Sequence, residues 1–550
     1  MADKSFSLVL HSHIPYVLAH GSWPHGMDWL YEAAAETYMP LLDVFGRLAA
    51  EGIPAGTSIS FTPVLMEQLK DPAFAPGFED YLRMKVGYAE ADRDRFERTG
   101  AATLVPLAAF WGAWYGKVLE DFRGRCRGDI IDAFRSLQDR GAIEVLTSAA
   151  THGYFPLLAR DESVRQQVRQ GRHTYRRHFG REPRGFWVPE CAYRPRYAWK
   201  NPLEDGEAYE RLGVDEVLGA EGVGYFFVDS HLLKGGEAKG VYADRFPGLN
   251  LLWEKFRDAY VPAEGRPGDP YSPFLAHPSR VPFFARDDVS GSQVWSRDTG
   301  YPGDGWYLEF HKKHFPGGLR YWRITSGDAD LGLKEPYDPA RTRDRIEAHA
   351  DHFVSVLERS LRGRPSGTVA ALYDTELFGH WWFEGPEWLD RVIRKLAAGP
   401  VEPKTAGEAL ETLPPESVVA LPEGSWGKGG FHWIWLNEDT AWIWRKIYRI
   451  ERAAAALELR LEGLDRRLLK QFYREKFLLE SSDWPFLVST WAARDYAELR
   501  AAEHFERALT LAGWLEEGRP LGGAEEALLR VFESEDRLFD EVVLPDGNVI

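Results

Sequence analysis

The sequence is poor in cysteine and in long apolar runs. Cys126 and Cys191 are its two cysteines among 550 residues, which excludes a disulfide framework and a Cys-based zinc module. No stretch of about 18 apolar residues occurs, so the sequence predicts no membrane span. The apolar run at residues 6–10 is too short for a signal peptide. We therefore expect a cytoplasmic protein.

An excess of positive charge is also absent. Lys and Arg number 67 against 84 Asp and Glu, which gives a formal net charge of −17. Such an acidic surface repels phosphate backbones and anionic lipid headgroups. We therefore expect neither nucleic acid nor a membrane as a partner.

Aromatic residues, by contrast, are abundant. The chain has 21 Trp, 23 Tyr and 31 Phe, together 14% of its residues. Flat rings on irregular loops suit sugars, which offer apolar C–H faces and hydroxyl edges, although a Trp-rich core is the alternative. The tryptophans beside Gly, Asp and Pro in loop-like stretches are Trp295, Trp306, Trp426, Trp435 and Trp484.

Short apolar runs alternate with amphipathic stretches along the chain. An apolar strand is followed by a predicted helix over residues 29–50, and Asp338-Pro339 predicts the start of a helix that ends near Leu361. This alternation favours an α/β fold with a mostly parallel sheet or barrel. The predicted strands are residues 6–10, 142–147, 185–188, 225–228 and 368–373.

The domain organisation follows from changes in composition. Residues 197–288 interrupt the alternation with Gly, Pro and charge, residues 400–422 resemble a linker, and later residues show helical spacing. We expect two parts of a sheet or barrel, an insertion or lid-bearing subdomain between them and a C-terminal helical domain. The predicted boundaries are 1–196 and 266–420 for the barrel, 197–265 for the insertion and 421–550 for the C-terminal domain.

Polar residues follow five of the predicted strands. Because the carboxyl ends of parallel strands converge on one face of a barrel, we expect these side chains to share one pocket. They are His11 and His13, His152, Glu190, Asp229 with His231, and Asp374 with Glu376.

Two of these acids are the strongest catalytic candidates. Glu190 lies in an apolar setting that is costly for an idle carboxylate, with a buried salt bridge as the alternative. Asp374 precedes an aromatic cluster, whereas Glu376 is the weaker candidate because it can simply cap the next helix. Two carboxylates from different strands in an aromatic cleft suit glycoside chemistry, in which one attacks the sugar carbon and the other moves the proton.

The remaining candidates have structural alternatives. His11 and His13 have a spacing suitable for metal ligands, but histidines at a buried strand can equally be structural. Trp426 lies in the glycine-rich segment 424–430, where the backbone can approach a ligand closely.

Five ordered motifs resemble glycoside hydrolase family 57, and within it the enzymes that branch 1,4-α-glucans. The resemblance covers nearly the whole chain. The motifs are His11-Ser-His-Ile-Pro-Tyr16, Glu144-Val-Leu-Thr-Ser148 leading to His152, Phe186-Trp-Val-Pro-Glu-Cys-Ala-Tyr193, Tyr373-Asp-Thr-Glu-Leu-Phe-Gly-His380 and Gly424-Ser-Trp-Gly.

The resemblance implies a catalytic (β/α)7 barrel, an inserted helical subdomain and a C-terminal helical domain that helps to close a glucan groove. It implies Glu190 as nucleophile and Asp374 as acid/base in a retaining reaction, without metal or cofactor, on α-glucans such as amylose and glycogen-like chains. We expect a monomer or dimer. The substrate-binding positions that it implies, together with our own candidates, are His11, His13, His152, Arg286, Trp295, Gly303, Trp426, Trp435 and Asp483.

Two features of the sequence qualify the resemblance. Ala492 stands where the branching enzymes lead us to expect Gln, which removes one predicted acceptor contact. The aromatic tip of the expected lid loop is either Tyr242 or Tyr260. The open alternatives are a 4-α-glucanotransferase or α-amylase-type hydrolase of the same family, a metal-dependent deacetylase or mannosidase, and a non-catalytic glucan-binding protein.

Overall fold

The computed structural model describes residues 3–236, 238, 247–258, 261, 264–265, 268–296 and 300–550. The strands are β1 (Lys4–Ser12), β2 (Thr57–Phe61), β3 (Glu144–Ser148), β4 (Gly185–Trp187), β5 (Tyr197–Trp199), β6 (Tyr209–Arg211), β7 (Tyr225–Val228), β8 (Phe274–Ala276), β9 (Pro282–Ala285), β10 (Gly367–Asp374), β11 (Glu402–Pro403) and β12 (Val418–Val419). The helices are α1 (Met27–Ala33), α2 (Met39–Ala50), α3 (Pro63–Lys70), α4 (Phe74–Thr99), α5 (Val105–Gly124), α6 (Ile130–Asp139), α7 (Asp161–Phe179), α8 (Val214–Ala220), α9 (His231–Lys234), α10 (Pro247–Phe256), α11 (Asp288–Trp295), α12 (Pro339–Ser360), α13 (Gly385–Ala397), α14 (Ala406–Thr412), α15 (Ala441–Glu458), α16 (Arg466–Leu479), α17 (Asp483–Thr490), α18 (Arg494–Glu517) and α19 (Gly523–Glu535).

Seven strands of the described chain run parallel in the order β10, β1, β2, β3, β4, β7, β9. The sheet curls, and the amide of Asp287, just beyond β9, donates to the carbonyl of Ala370 in β10 at 2.9 Å. The predicted (β/α)7 barrel is confirmed.

The strands β1 and β10 lie at the centre of the hydrophobic core. The side chains of Phe6, Leu8 and Leu10 are buried, as expected for a parallel strand covered on both faces. In the parallel register His11 lies opposite Asp374, so the polar end of each strand reaches the same level.

Two predicted helices show how the sequence sets their ends. The Asp338 carboxylate accepts from the amides of Ala340 and Arg341 and caps α12. The predicted helix over residues 29–50 is α1 and α2 joined by a π-helical turn, Ala34–Tyr38. Such turns occur often at functional sites, and this one carries two buried polar side chains, Glu36 and Tyr38, discussed below.

The segment 197–265 contributes to the barrel as well as to the helices beside it. It contains the antiparallel pair β5 and β6, but also β7, which lies between β4 and β9 in the barrel. The predicted domain boundaries themselves stay a prediction. Both lid-tip candidates, Tyr242 and Tyr260, lie outside the described residues.

The interpretation of residues 400–422 as a linker was wrong. In this segment β11 pairs with β1 and β12 pairs with β8, so its backbone belongs to the sheet. Composition alone did not reveal this, because two-residue strands are too short to give a periodic pattern.

The C-terminal helices pack directly on the barrel. Phe186 and Phe283 of the barrel share one hydrophobic cluster with Trp444 of α15 and Phe477 of α16. This packing brings the end of α16 and all of α17 close to the carboxyl ends of the strands. None of the helices in the described part of the chain combines the length and the apolar character needed to span a membrane.

Candidate active site

A cavity of about 420 Å³ lies at the carboxyl ends of β1, β4 and β10. Its wall brings together residues that are hundreds of positions apart in the sequence, as the convergence of parallel strands requires. The predicted site residues that line it are His11, His13, His152, Glu190, Trp295, Asp374, Trp426 and Asp483.

Glu190 is held rigidly in this wall. It lies in a 3₁₀ turn after β4 with a φ of 58°, a left-handed conformation that costs a non-glycine residue about 1–3 kcal/mol. Trp426 fixes it twice, since its amide donates to the Glu190 carbonyl at 3.0 Å and its indole Nε1 donates to Oε2 at 2.6 Å. Trp426 is itself 1% exposed, and its ring also contacts Trp187 with centroids 5.2 Å apart.

Burial and a nearby negative charge perturb the pKa of Glu190. Removal from water raises this pKa to about 8, the Trp426 indole opposes the rise, and the charge of Asp374 adds to it. Glu190 and Asp374 line the same cavity.

Asp374 ends β10 and is partly exposed to the cavity. Its negative charge also contributes to a raised pKa at Glu376, about 8, for which burial is the main cause. Three carboxyl groups, those of Glu190, Asp374 and Glu376, therefore line this cavity, and the charge of Asp374 adds to the effect of burial on the pKa of the other two.

Glu376 supports the loop around it. Its Oε1 accepts a hydrogen bond from the Tyr38 hydroxyl at 2.5 Å and another from the His13 amide at 3.2 Å. These contacts differ from those of a helix cap, which was the structural alternative predicted for Glu376. Sequence reasoning missed Tyr38, because the π-helical turn that directs it inward has no separate sequence pattern.

His11 and His152 form a hydrogen-bonded pair beneath the carboxylates. Their Nε2 atoms are 2.9 Å apart, and their Nδ1 atoms contact the hydroxyls of Ser60 at 2.6 Å and Ser482 at 2.8 Å. The His11 ring stacks on Trp187 with centroids 4.5 Å apart. Burial lowers the pKa of both histidines, which favours neutral rings that exchange hydrogen bonds.

His13 joins the barrel to the C-terminal helices. Its Nε2 lies 2.8 Å from Oδ2 of Asp483, the first residue of α17, and its Nδ1 lies 3.0 Å from the Thr62 hydroxyl. Burial of Asp483 is outweighed by the attraction of His13, so the pKa of this carboxyl is lowered. All four ring nitrogens of His11 and His13 are thus engaged in hydrogen bonds, which favours hydrogen bonding over the zinc-ligand alternative for this pair.

An aromatic wall faces the buried carboxylates. Phe310 and Trp381 stack with centroids 4.5 Å apart at 25°, and Trp381 is 36% exposed. Among the residues of this wall, Trp381 belongs to a motif identified in the sequence, the aromatic cluster after Asp374. The aromatic wall consists of Trp29, Phe310, Trp381 and Phe486.

Arg286 lies away from the cavity lining given by the described residues. Its guanidinium is buried and donates to Asp229 at 2.6 Å, and Asp229 also contacts His231 at 2.7 Å. Against the effect of burial, the charge of Arg286 lowers the pKa of Asp229. Asp229 therefore pairs with both Arg286 and His231, while the buried Nε2 of His231 has no hydrogen-bond partner. Contact of Arg286 with substrate stays a prediction.

Trp435 and Gly303 also lie outside the described cavity lining. Trp435 is fully buried and stacks on Tyr154 with centroids 4.4 Å apart. Its role as a stacking surface for sugars stays a prediction. Gly303 ends the short turn Tyr301–Gly303. Ala492, by contrast, lines the cavity, at the position where an amide was expected.

A parallel barrel with two acids from different strands, set opposite aromatic rings in one cavity, defines the class of enzymes that act on glycosidic bonds. Residues 7–422 match the model of glycosyl hydrolase family 57. The chain belongs to this family. Residues 445–544 match a second model, described as the C-terminal part of 1,4-α-glucan branching enzymes.

Individual relatives support the assignment to the family. The chain is 43% identical to a 1,4-α-glucan branching enzyme of Thermococcus kodakarensis over 98% of its own length and 78% of that protein. It is 32% identical to a probable 1,4-α-glucan branching enzyme of Mycobacterium tuberculosis, with 94% of this chain and 93% of that protein covered.

Solved structures agree with this chain over nearly its whole length. A family 57 branching enzyme from Thermococcus kodakaraensis, crystallised with glucose, gives a TM-score of 0.89 at 41% identity, covering 99% of this chain and 96% of that one. An α-amylase of Thermotoga maritima gives a TM-score of 0.79 at 30% identity, covering 98% and 97%.

Proposed function

We propose that this enzyme cleaves an α-1,4-glucan and transfers the cut chain to a 6-hydroxyl, which creates an α-1,6 branch. The observation that carries the proposal is the meeting of Glu190 and Asp374 in one aromatic cavity. The similarity to named branching enzymes over both the barrel and the C-terminal helices supports the choice of acceptor.

In the first step Glu190 attacks the anomeric carbon while Asp374 donates a proton to the departing glycosidic oxygen. The C1–O bond breaks, and a glucosyl ester forms on Glu190. In the second step Asp374 takes the proton of an incoming 6-hydroxyl, whose oxygen attacks C1 and releases Glu190. Retention of configuration, which requires carboxyl groups about 5–5.5 Å apart, stays a prediction.

The first step requires a proton on Asp374 and a charge on Glu190. Burial raises the pKa of Glu190 to about 8, which favours a proton on this carboxyl at neutral pH before substrate binds. A glycosidic oxygen that accepts a hydrogen bond from Asp374 favours the proton there, and the Trp426 indole stabilises the Glu190 carboxylate that results. Substrate binding thus redistributes one proton within the pair.

Transfer also requires that water be kept from the glucosyl ester. The C-terminal helices contribute Phe486, Leu487 and Ala492 to the cavity wall, and these apolar groups limit the water near the carboxylates. Because Ala492 lacks the expected side-chain amide, we expect weaker binding of the acceptor chain. An Ala492→Gln variant therefore tests whether the ratio of transfer to hydrolysis rises.

The test is incubation of the full-length enzyme with amylose, followed by debranching and a count of new α-1,6 ends. We expect new branches, a fall in iodine staining and little increase in reducing ends. Glu190→Gln serves as the inactive control. Amylose that is shortened without new branches contradicts the proposed acceptor.

A hydrolase is the second candidate, since an α-amylase has the same fold at 30% identity. It predicts reducing ends that rise in proportion to the loss of iodine staining. A 4-α-glucanotransferase would instead lengthen and shorten chains without creating branches. A role in glycogen synthesis and a cytoplasmic location stay predictions.

A further inference from the structure

A second cavity of about 670 Å³ lies on the outside of the barrel, between α2, α5, α12 and α13. It is larger than the catalytic cavity and within the range of ligand pockets, about 300–1,000 Å³. The segment that follows β10 separates the two, because His380 lines the catalytic cavity whereas Phe383 and Glu384 line the second one.

Aromatic rings form one side of the second cavity. Phe383 contacts Trp114 with ring centroids 5.7 Å apart, Phe110 at 6.2 Å and Tyr337 at 6.4 Å. Phe110, Trp114 and Phe383 are each only partly buried, so ring surface faces the cavity. Such surfaces bind the C–H faces of sugars.

A carboxyl oxygen without a hydrogen-bond partner lies beside these rings. Glu384 is 4% exposed, and its Oε1 accepts from the Leu308 amide at 3.0 Å and from the Tyr337 hydroxyl at 2.7 Å. Its buried Oε2 has no hydrogen-bond partner. Burial raises the pKa of this carboxyl to about 7, so near neutral pH Oε2 is either an acceptor or a donor. A ligand hydroxyl can pair with either form, and a buried polar atom that gains a partner gains free energy.

The charges around the cavity exclude an anionic ligand. The described lining carries seven acidic and five basic side chains. Arg47 contacts Asp390 at 3.2 Å, and Arg394 pairs with both Asp390 and Glu51, so these cations are neutralised. The lining therefore has no net positive charge to attract a phosphate, whereas binding of a neutral, hydroxyl-rich ligand does not depend on net charge.

We propose that this second cavity is a non-catalytic binding site for a glucosyl segment of an α-glucan, with sugar faces on Trp114 and Phe383 and a hydroxyl hydrogen-bonded to Glu384. The site is argued from the lining of this cavity, and the choice of an α-glucan rests on the proposed function. Such a site holds a polymer on the enzyme while another part of the chain occupies the catalytic cavity.

The experiment is calorimetric titration of the full-length Asp374→Asn variant with maltoheptaose, since we expect this substitution to slow turnover by roughly two to four orders of magnitude. We expect two binding sites per chain. Adding Trp114→Ala weakens one of them by about tenfold or more and leaves the other unchanged. Adding Trp381→Ala weakens the other site instead.

Two further variants test whether a loss of affinity arises from misfolding. Glu384→Gln keeps the shape of the side chain but replaces the unpaired oxygen by an amide donor, and we expect it to weaken the same site as Trp114→Ala. Trp442→Ala, a partly buried tryptophan of α15 that lines neither cavity, is the matched control and leaves both sites intact.

A single binding site per chain overturns the proposal, as does a second site that is insensitive to both Trp114→Ala and Glu384→Gln. Equal affinity of the second site for cellohexaose overturns its assignment to α-glucans. Failure of the wild type to branch amylose leaves these titrations unchanged, so the proposed function and this site are tested separately.

Discussion

The two faces of the catalytic cavity are built differently. The strand-end face contains two hydrogen-bonded pairs, Glu190 with Trp426 and His11 with His152. All four residues are less than a tenth exposed, and the hydrogen bonds within the pairs are 2.6–3.0 Å long. On the aromatic wall, Trp381 is 36% exposed and is held by a ring contact with Phe310.

This difference matches two separate needs. Bond making at a sugar carbon requires groups fixed within a fraction of an ångström, which buried hydrogen bonds provide. A glucan chain that must enter, shift and leave is better served by flat surfaces with few directional contacts. We therefore expect substitutions on the strand-end face to affect turnover and those on the aromatic wall to affect binding.

Removal of the catalytic carboxylates is expected to have the largest effect. Glu190→Gln lowers kcat by about four orders of magnitude or more, and Asp374→Asn by roughly two to four orders, as measured on amylose. Glu451→Gln, a buried acid of α15 outside both cavities, is the control and keeps turnover near the wild-type value. Near-normal turnover in either catalytic variant would refute the assignment of these roles.

Trp381→Ala tests the aromatic wall. Loss of one exposed ring is expected to raise KM for amylose by about tenfold, with a smaller change in kcat. Trp442→Ala again serves as the control. If kcat falls while KM stays constant, the proposed division between the two faces is incorrect.

Trp426→Phe tests the hydrogen bond that holds Glu190 while keeping an aromatic ring. In the wild type we expect kcat/KM to fall above about pH 8, where the carboxyl pair loses its shared proton. The indole N–H stabilises the charged form, so its removal raises the pKa of Glu190 and moves this descending limb to higher pH by about one unit. If the descending limb of the pH profile of kcat/KM stays at the same pH in this variant, the indole does not stabilise the charged form of Glu190.

Glu376→Gln is expected to have the smallest effect on the reaction and a measurable one on stability. The pKa of Glu376 is raised from 4.5 to about 8 in the folded state, so the folded protein keeps a proton that the unfolded chain releases. Its contribution to the free energy of unfolding therefore declines as pH rises from about 4.5 to 8, by a few kcal/mol at most.

The glutamine variant lacks this titration but retains an acceptor for Tyr38 and the His13 amide. We expect its thermal midpoint, relative to that of the wild type, to increase between about pH 5 and pH 8. Parallel midpoints across that interval would show that Glu376 does not hold a proton in the folded state.

Sequence reasoning located the elements whose signal is local. The apolar run of β1, the Asp338 cap of α12 and the polar residues that end β1 and β10 each depend on neighbours in the chain. It did not reveal the surroundings of Trp435 and Arg286, whose roles in substrate binding stay predictions, because a tryptophan beside glycines and an arginine near a motif look the same whether packing buries them or exposes them. It missed Phe310, which lies in an irregular segment without periodicity.

The sequence by itself determined five of the seven parallel strands (β1, β3, β4, β7 and β10), the order of the family motifs and the acids that follow β4 and end β10, because apolar periodicity and motif spacing are written in consecutive residues. It did not reveal β2 and β9. Only the tertiary structure decided that Trp426 binds Glu190, that Tyr38 binds Glu376, and that Glu384 keeps an unpaired carboxyl oxygen beside a second cavity. Those contacts join residues up to 338 positions apart, and which polar atoms remain satisfied depends on how whole elements pack.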